Sequence, residues 1–354
     1  MKIEQELKLD FSDVLIRPKR STLSSRSEVE LLRTFVFLNK AGHVKKEWTG
    51  IPIMAANMDT TGTFEMYREL SKFKMITCFH KHYSVEDYPN DLDPNYYAIS
   101  TGITDNDYIK LQRTIEKLSS TQGGAPHFLC IDVANGYMLA FANFVKKVSE
   151  HYPHLVIICG NVVSREMVEE LIINCGADIV KCGIGSGATC LTRTQTGVGM
   201  PQLSCVIECA DAAHGVNGKI VSDGGCVVPG DLSKAFGANS DFIMLGSILA
   251  GHTESGGELI EEADGSKYKM FYGMSSKKAM EKYSGGMASH RSSEGKVVKI
   301  PYKGDVKNTI ENILGGIRST CTYIGAKTLK DMPKCTTFMR VTNQINNSLS
   351  KYNS

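Results

Sequence analysis

The sequence predicts a (β/α)8, or TIM, barrel with a long insertion after its eighth strand, and three observations carry that prediction. Eight short apolar runs recur roughly 20 to 40 residues apart, amphipathic stretches separate nearly all of them, and polar, glycine-rich residues follow almost every run. Near-continuous apolar strands alternating with helices describe a parallel sheet buried on both faces. Eight such units within about 200 residues fit a closed barrel better than an open doubly wound sheet. Of the 354 residues, 42% are hydrophobic and 22% charged, a composition able to bury one large core.

Residues 1–50 are polar and basic and read as short strands or a cap outside the repeat. The strand candidates then run 51–56, 75–79, 96–100, 128–133, 155–159, 179–182, 220–222 and 242–245. Helix candidates cover 62–73, 104–119, 137–150, 164–175, 202–214 and 229–237. In such a barrel the chemistry sits at the C-terminal ends of the strands. Here those ends read Asn57-Met58-Asp59, His80-Lys81-His82, Asp132-Val133-Ala134, Gly160-Asn161, the stretch from Gly183 to Arg193, Asp223-Gly224-Gly225 and Gly246-Ser247. Residues 251–306 are too long for an ordinary loop, with a hairpin turn at Ala263-Asp264-Gly265 and an exposed strand at 296–300, and read as an active-site flap. A closing helix over 307–327 and a peripheral tail over 328–354 complete a single catalytic domain.

Bulk properties narrow the function classes. The formal net charge is +2 and no block of like charges occurs, so nothing calls for nucleic acid or an anionic membrane. There is no run of 18 apolar residues, and the opening Met1 to Glu6 is too charged for a secretory signal. Eleven cysteines, an odd number with no C-x-x-C pair, point to a reduced, cytoplasmic protein whose thiols are mostly small core residues.

Cys190 is argued from its neighbours. It follows Gly183, Gly185 and Gly187 and precedes Thr192 and Arg193. Gly183, Gly185 and Ala188 match a dinucleotide fingerprint, with Glu208 further on. That fingerprint needs a helix beginning at the glycines, and the threonine- and glycine-broken stretch from Thr189 to Pro201 predicts none. The other reading is a glycine loop whose carbonyls hold a cation while Cys190 faces a pocket as a nucleophile. A free thiol, with its pKa of about 8.5, needs a site that favours the thiolate. The glycines at 224, 225 and 246, with Ser247, follow the seventh and eighth strands and suit either phosphate binding or tight turns. Asp223 suits a sugar diol. His80 and His82 lack the partners of a metal site and read as structural or substrate-adjacent.

These residues, together with Gly197-Val198-Gly199-Met200-Pro201-Gln202-Leu203, resemble the IMP dehydrogenase/GMP reductase family. The resemblance extends from Asp10-Phe11-Ser12-Asp13 to Thr337-Phe338-Met339-Arg340. Asp132-Val133-Ala134-Asn135-Gly136-Tyr137, Gly273-Met274-Ser275-Ser276, Ser293-Glu294-Gly295-Lys296 and Ser319-Thr320-Cys321-Thr322-Tyr323 are similar to the reductase branch. The dehydrogenase branch usually carries a regulatory domain after the second strand, which the short segment after His82 leaves no room for.

The resemblance implies NADPH-dependent reductive deamination of GMP to IMP and ammonia, in purine salvage, through a covalent thioimidate on Cys190. Thr192 would carry the proton and Glu294 would tune it. The GMP site would comprise Asp223, Gly224, Gly225, Gly246, Ser247, Gly273, Met274, Ser275, Arg291, Ser292, Ser293 and Gly295. The NADPH site would use Lys81, Asp132, Val133, Ala134, Ile184, Gly185, Met274 and His290, with Ser25, Arg26, Ser319, Thr320, Cys321 and Thr322 from a neighbouring subunit of a homotetramer. A potassium ion would sit on the carbonyls of Gly185, Gly187 and Cys190, beside Arg193. The chain departs from the family pattern in having Ser186 for proline, Ala188 for serine, Leu191 for threonine, Ser247 for glycine and His290 for tyrosine; Ser186 is expected to loosen the loop. The alternatives are an IMP dehydrogenase-like oxidoreductase and a catalytically silent nucleotide-binding protein.

Overall fold

Eight parallel strands close on themselves in chain order in a computed structural model that describes residues 1, 3–38, 45–286 and 292–342. They are β1 (Ile53–Ala55), β2 (Ile76–Cys78), β3 (Tyr97–Thr101), β4 (Phe128–Asp132), β5 (Val156–Val162), β6 (Ile179–Cys182), β7 (Lys219–Asp223) and β8 (Phe242–Leu245). Pairing of β8 with β1, Ile243 opposite Ile53 and Leu245 opposite Ala55, closes the ring. The expected barrel is therefore present, each strand lying within two or three residues of its apolar run.

Alternation along the strands builds two cores. One set of residues, including Met54, Ile76, Cys78, Cys130, Ile158 and Val221, fills the barrel interior. The other set faces helices over Phe64–Leu70, Asp105–Ser119, Leu139–His151, Arg165–Ile173, Gln202–Gly215, Pro229–Gly237 and Val306–Ile324. No helix follows β2; an aromatic cluster of Phe64, Phe79, Tyr83, Tyr88 and Tyr97 fills that position.

The N-terminal residues do more than cap. An antiparallel hairpin, Arg33–Leu38 with Lys45–Gly50, inserts Phe35, Phe37 and Trp48 into the N-terminal end of the barrel. Phe35 stacks 4.4 Å from Phe242, and Trp48 meets Phe128 edge-on at 5.9 Å. This aromatic plug seals that end, so a ligand enters from the C-terminal rim. Val14–Ile16 pairs antiparallel with Phe338–Arg340, joining the tail to the N-terminal segment.

The insertion folds as a three-stranded antiparallel sheet of Leu259–Glu261, Lys267–Tyr272 and Val297–Pro301, with a helix over Lys277–Ser284. The expected hairpin turn and exposed strand are both there. Asp59, after β1, ties this unit down: its Oδ2 accepts from Tyr272 and Tyr283 (2.6 Å each) and from Lys282 (2.9 Å).

Candidate active site

An open cavity of about 250 Å3 at the C-terminal rim gathers Cys190, Thr192, Glu294, Lys181, Asp132 and Asp223. Lys181, Cys190 and Thr192 come from β6 and the loop after it, while Asp132, Asp223 and Glu294 come from distant parts of the chain.

After β6 the chain turns at Gly183, with φ 141°. A Cβ there would stand 2.2 Å from the Asp223 carbonyl oxygen, so only glycine lets the loop lie against the end of β7. The Cys190 amide donates to the Gly187 carbonyl at 3.0 Å and closes the turn. Contrary to the expectation of no helix before Pro201, a single helical turn spans Thr192–Thr196, ended by Gly197 with φ 70°. It begins beyond Cys190, not at the glycines, so the dinucleotide fingerprint still lacks its helix. The Ser186 hydroxyl donates to the Asp223 carbonyl at 3.2 Å, a tie that a proline at this position could not make.

The returning arm of the insertion runs beside this loop. The Leu191 amide donates to the Glu294 carbonyl at 2.7 Å, the Lys296 amide donates to Thr189 at 2.8 Å, and Cys190 and Gly295 form an antiparallel bridge. That register brings the Glu294 side chain onto Thr192. The Cys190 thiol donates to Thr192 Oγ1 at 3.2 Å, and Thr192 Oγ1 donates to Glu294 Oε2 at 2.6 Å. The arrangement is a nucleophile, a hydroxyl and a carboxylate in one proton path.

The cavity floor is a charged network that sequence reasoning missed. Lys181 Nζ lies 2.5 Å from Asp132 Oδ1, 3.3 Å from Asp223 Oδ2 and 3.4 Å from Asn57 Oδ1. Asn57 donates to Asp132 Oδ2 at 3.1 Å, and Asn161 donates to Asp223 Oδ2 at 2.8 Å. Burial opposes charge on Lys181, but the two carboxylates outweigh it and raise its pKa well above the usual lysine value. Burial likewise pushes Asp132 up, and the Lys181 charge and hydrogen bond pull it below the ordinary carboxylate range. A signal for Lys181 was present: a lysine inside the otherwise apolar strand Ile179–Cys182.

The remaining expected residues divide. Gly273, Met274 and Ser275 line the cavity, as do Val133, Ala134, Ile184 and Gly185, which make part of its wall apolar. Asp223 pairs in register with Met244, so Gly224-Gly225 and Gly246-Ser247 emerge side by side. Ser292 is exposed, and Ser293 donates to the Gly295 carbonyl. His290 and Arg291 lie outside the described residues. Lys81 is exposed and off the cavity lining, although its charge reaches Asp132. Ser25 and Arg26 are exposed on a short turn, and Ser319 to Thr322 belong to the closing helix; the fold does not bring either group to this chain's own cavity. Cys321 is fully buried, so it has no side chain to offer a cofactor there.

Gly187 and Cys190 belong to one turn with Gly185 just before it, and Arg193 nearby is held by Asp10 at 2.9 Å and by the Met200 carbonyl at 2.6 Å. Among the described residues no group of three or more His, Cys, Asp or Glu is arranged for a metal. Main-chain carbonyls are donors for a hard alkali cation rather than a transition metal. His80 stacks on Tyr83 and His82 on Tyr283, at 3.9 and 3.5 Å, and burial lowers both pKa values to about 4. They are packing groups. Nine of the eleven cysteines are buried, leaving Cys190 and Cys335 partly exposed.

Residues 102–348 match the model of the IMP dehydrogenase / GMP reductase domain. The chain is 57% identical to GMP reductase 2 of Mus musculus and 56% to GMP reductase 2 of Homo sapiens, each over 349 residues and 97% of both chains. It is 56% identical over 352 residues to GMP reductase of Tolumonas auensis, covering 98% of both chains. No helix among the described residues is long and apolar enough to cross a membrane.

Proposed function

The chain belongs to the IMP dehydrogenase/GMP reductase family, and we propose that it is the reductase: it converts GMP to IMP and ammonia at the expense of NADPH. The observation that carries this reading is the Cys190–Thr192–Glu294 hydrogen-bond path at the mouth of a cavity with an apolar wall.

In the proposed reaction the Cys190 thiolate adds to C2 of the guanine ring, its proton passing by way of Thr192 toward Glu294. An amide anion is a poor leaving group, so the exocyclic nitrogen takes a proton from the same path and departs as ammonia. A Cys190–C2 thioimidate remains. NADPH supplies the hydride that C2 requires, and expulsion of the thiolate gives IMP. Splitting the displacement into two steps replaces one difficult barrier with two lower ones. Asp223 accepts from the ribose diol, and the neighbouring Gly224, Gly225, Gly246 and Ser247 hold the phosphate. Val133, Ala134, Ile184, Gly185 and Met274 hold the nicotinamide end of the cofactor. The main-chain carbonyls of Gly185, Gly187 and Cys190 would hold a potassium ion, which would stiffen that loop, and the 251–306 insertion serves as the flap. The adenosine end of the cofactor meets Ser25, Arg26 and Ser319 to Thr322 of a neighbouring subunit in a cytoplasmic homotetramer active in purine salvage, with Cys321 contributing main chain alone.

The test is NADPH oxidation by purified protein with GMP, with ammonia and IMP measured as products. Wild type is expected to consume NADPH only when GMP is present, and Cys190→Ala to be inactive. Absence of GMP-dependent oxidation, or reduction of NAD with IMP as the preferred substrate, overturns the reading.

A further inference from the structure

Lys181 has no task in the reaction just described, yet its side chain is the most enclosed charge at the site. It is 2% accessible, while Asp132 and Asp223 above it are 35% and 24% accessible. Its ammonium has three donors and meets three acceptors, Asp132, Asp223 and Asn57. The two carboxylates end different strands: Asp132 ends β4, before Val133 and Ala134 of the cavity wall, and Asp223 ends β7, before the glycine loop that lies next to that of β8.

We propose that Lys181 is a positioning residue, one buried cation shared by Asp132 and Asp223, which holds both carboxylates in place and links the nucleotide half of the site to the cofactor half. The inference rests on the nucleotide and dinucleotide reading of the cavity. Asp223 is engaged through Oδ2, which leaves Oδ1 for a ligand hydroxyl. Both Asp132 oxygens are fixed, one by Lys181 and one by Asn57. Other charged or titratable groups acting here are the thiols of Cys130 on β4, Cys78 on β2 and Cys159 on β5, and Lys81, which acts on Asp132. None of these can replace the cation: the three thiols are fully buried, and Lys81 lies off the cavity lining. Without Lys181, two like charges face each other across the cavity floor, and such a pair takes up a shared proton.

Two measurements on wild type, Lys181→Met, Asp132→Asn and the double variant test this. The first is NMR titration of 13C-labelled aspartate carboxyls in the ligand-free protein. Lys181→Met should add a carboxyl titration in the neutral range that wild type lacks and the double variant abolishes. The second is GMP affinity by calorimetry. Lys181→Met is expected to bind at least tenfold more weakly at pH 8, with the loss shrinking toward pH 6, and the double variant is expected to recover most of it. A residue that merely filled space would give neither the pH dependence nor the recovery. If Lys181→Met does not fold, Asp132→Asn alone should still shift GMP affinity threefold or more, and no shift overturns the proposal. If the carboxyls respond as stated but wild type binds no GMP, the shared cation stands and the nucleotide reading fails. If wild type binds GMP while the Lys181→Met carboxyls and affinity stay as in wild type, the proposal is overturned.

Discussion

Thr192 donates its hydroxyl to Glu294 across 2.6 Å, although 102 residues separate the two in the chain. The backbone bridge between Cys190 and Gly295 holds them together, so the carboxylate arrives on a strand-like contact rather than a free loop. A hydroxyl is a weak acid by itself; with a carboxylate at this distance it can pass a proton on as it receives one.

Because the two act as one path, their loss should not add. Thr192→Val and Glu294→Gln are each expected to lower kcat by about 10²- to 10⁴-fold, the usual worth of a positioned acid–base group. The double variant should be little worse than the poorer single one. Steady-state kinetics of the three variants check this, and simple multiplication of the two losses would show independent roles.

Asp59 should anchor the insertion energetically. Burial pushes its pKa up, but hydrogen bonds from Tyr272, Tyr283 and Lys282 pull it below the ordinary value. A depressed carboxylate contributes stability above its unfolded value of about 3.9, and that contribution is lost as pH falls through the folded value. Asp59→Asn is therefore expected to lose about 1.5 to 3 kcal/mol at pH 7, the usual worth of hydrogen bonds to a charged group. The gap to wild type should narrow below about pH 4. Urea unfolding at several pH values measures both.

His80 and His82 predict the opposite end of the acid range. Burial is the main cause of their lowered values, about 4 in each case. The unfolded chain binds these protons below about pH 6.5 while the native protein does not, so stability should fall from pH 6.5 toward 4. The slope is about 1.4 kcal/mol per pH unit for each histidine at most. Replacing both with glutamine should flatten the urea midpoint over that interval.

Gly183→Ala tests the loop. Its added Cβ would stand 2.2 Å from a main-chain oxygen of Asp223, with φ at 141°. The contact is with backbone and cannot be relieved by turning a side chain. Activity is expected to drop by at least about tenfold while circular dichroism stays native, since a strain of about 1 to 3 kcal/mol falls on the Cys190 loop and not on the core. Kinetics alongside thermal unfolding separate the two.

Much of the site was legible because its residues lie close in sequence. Cys190 and Thr192 are two residues apart, and the glycines before them mark a loop whatever the fold. Asp223 with Gly224-Gly225 could be read from a polar cluster at a strand end. Asp59 and Asn161 were visible as polar strand ends, but their partners were not, since Tyr272, Tyr283 and Lys282 lie more than 200 residues from Asp59. The helical turn at Thr192–Thr196 escaped because three of its five residues are threonines, which are poor helix formers.

By itself the sequence determined the barrel, since alternating apolar runs and amphipathic stretches are local signals with few ways to close. It also marked Cys190 and its hydroxyl neighbour Thr192 as a candidate site, and, through resemblance, the family. Only the tertiary structure decided that Glu294 reaches Thr192, that Trp48 and Phe35 seal the far end, and that Lys181 serves two carboxylates at once. These are long-range pairings set by strand register and barrel closure. A lysine within an apolar strand becomes intelligible only when β4 and β7 bring their aspartates to it.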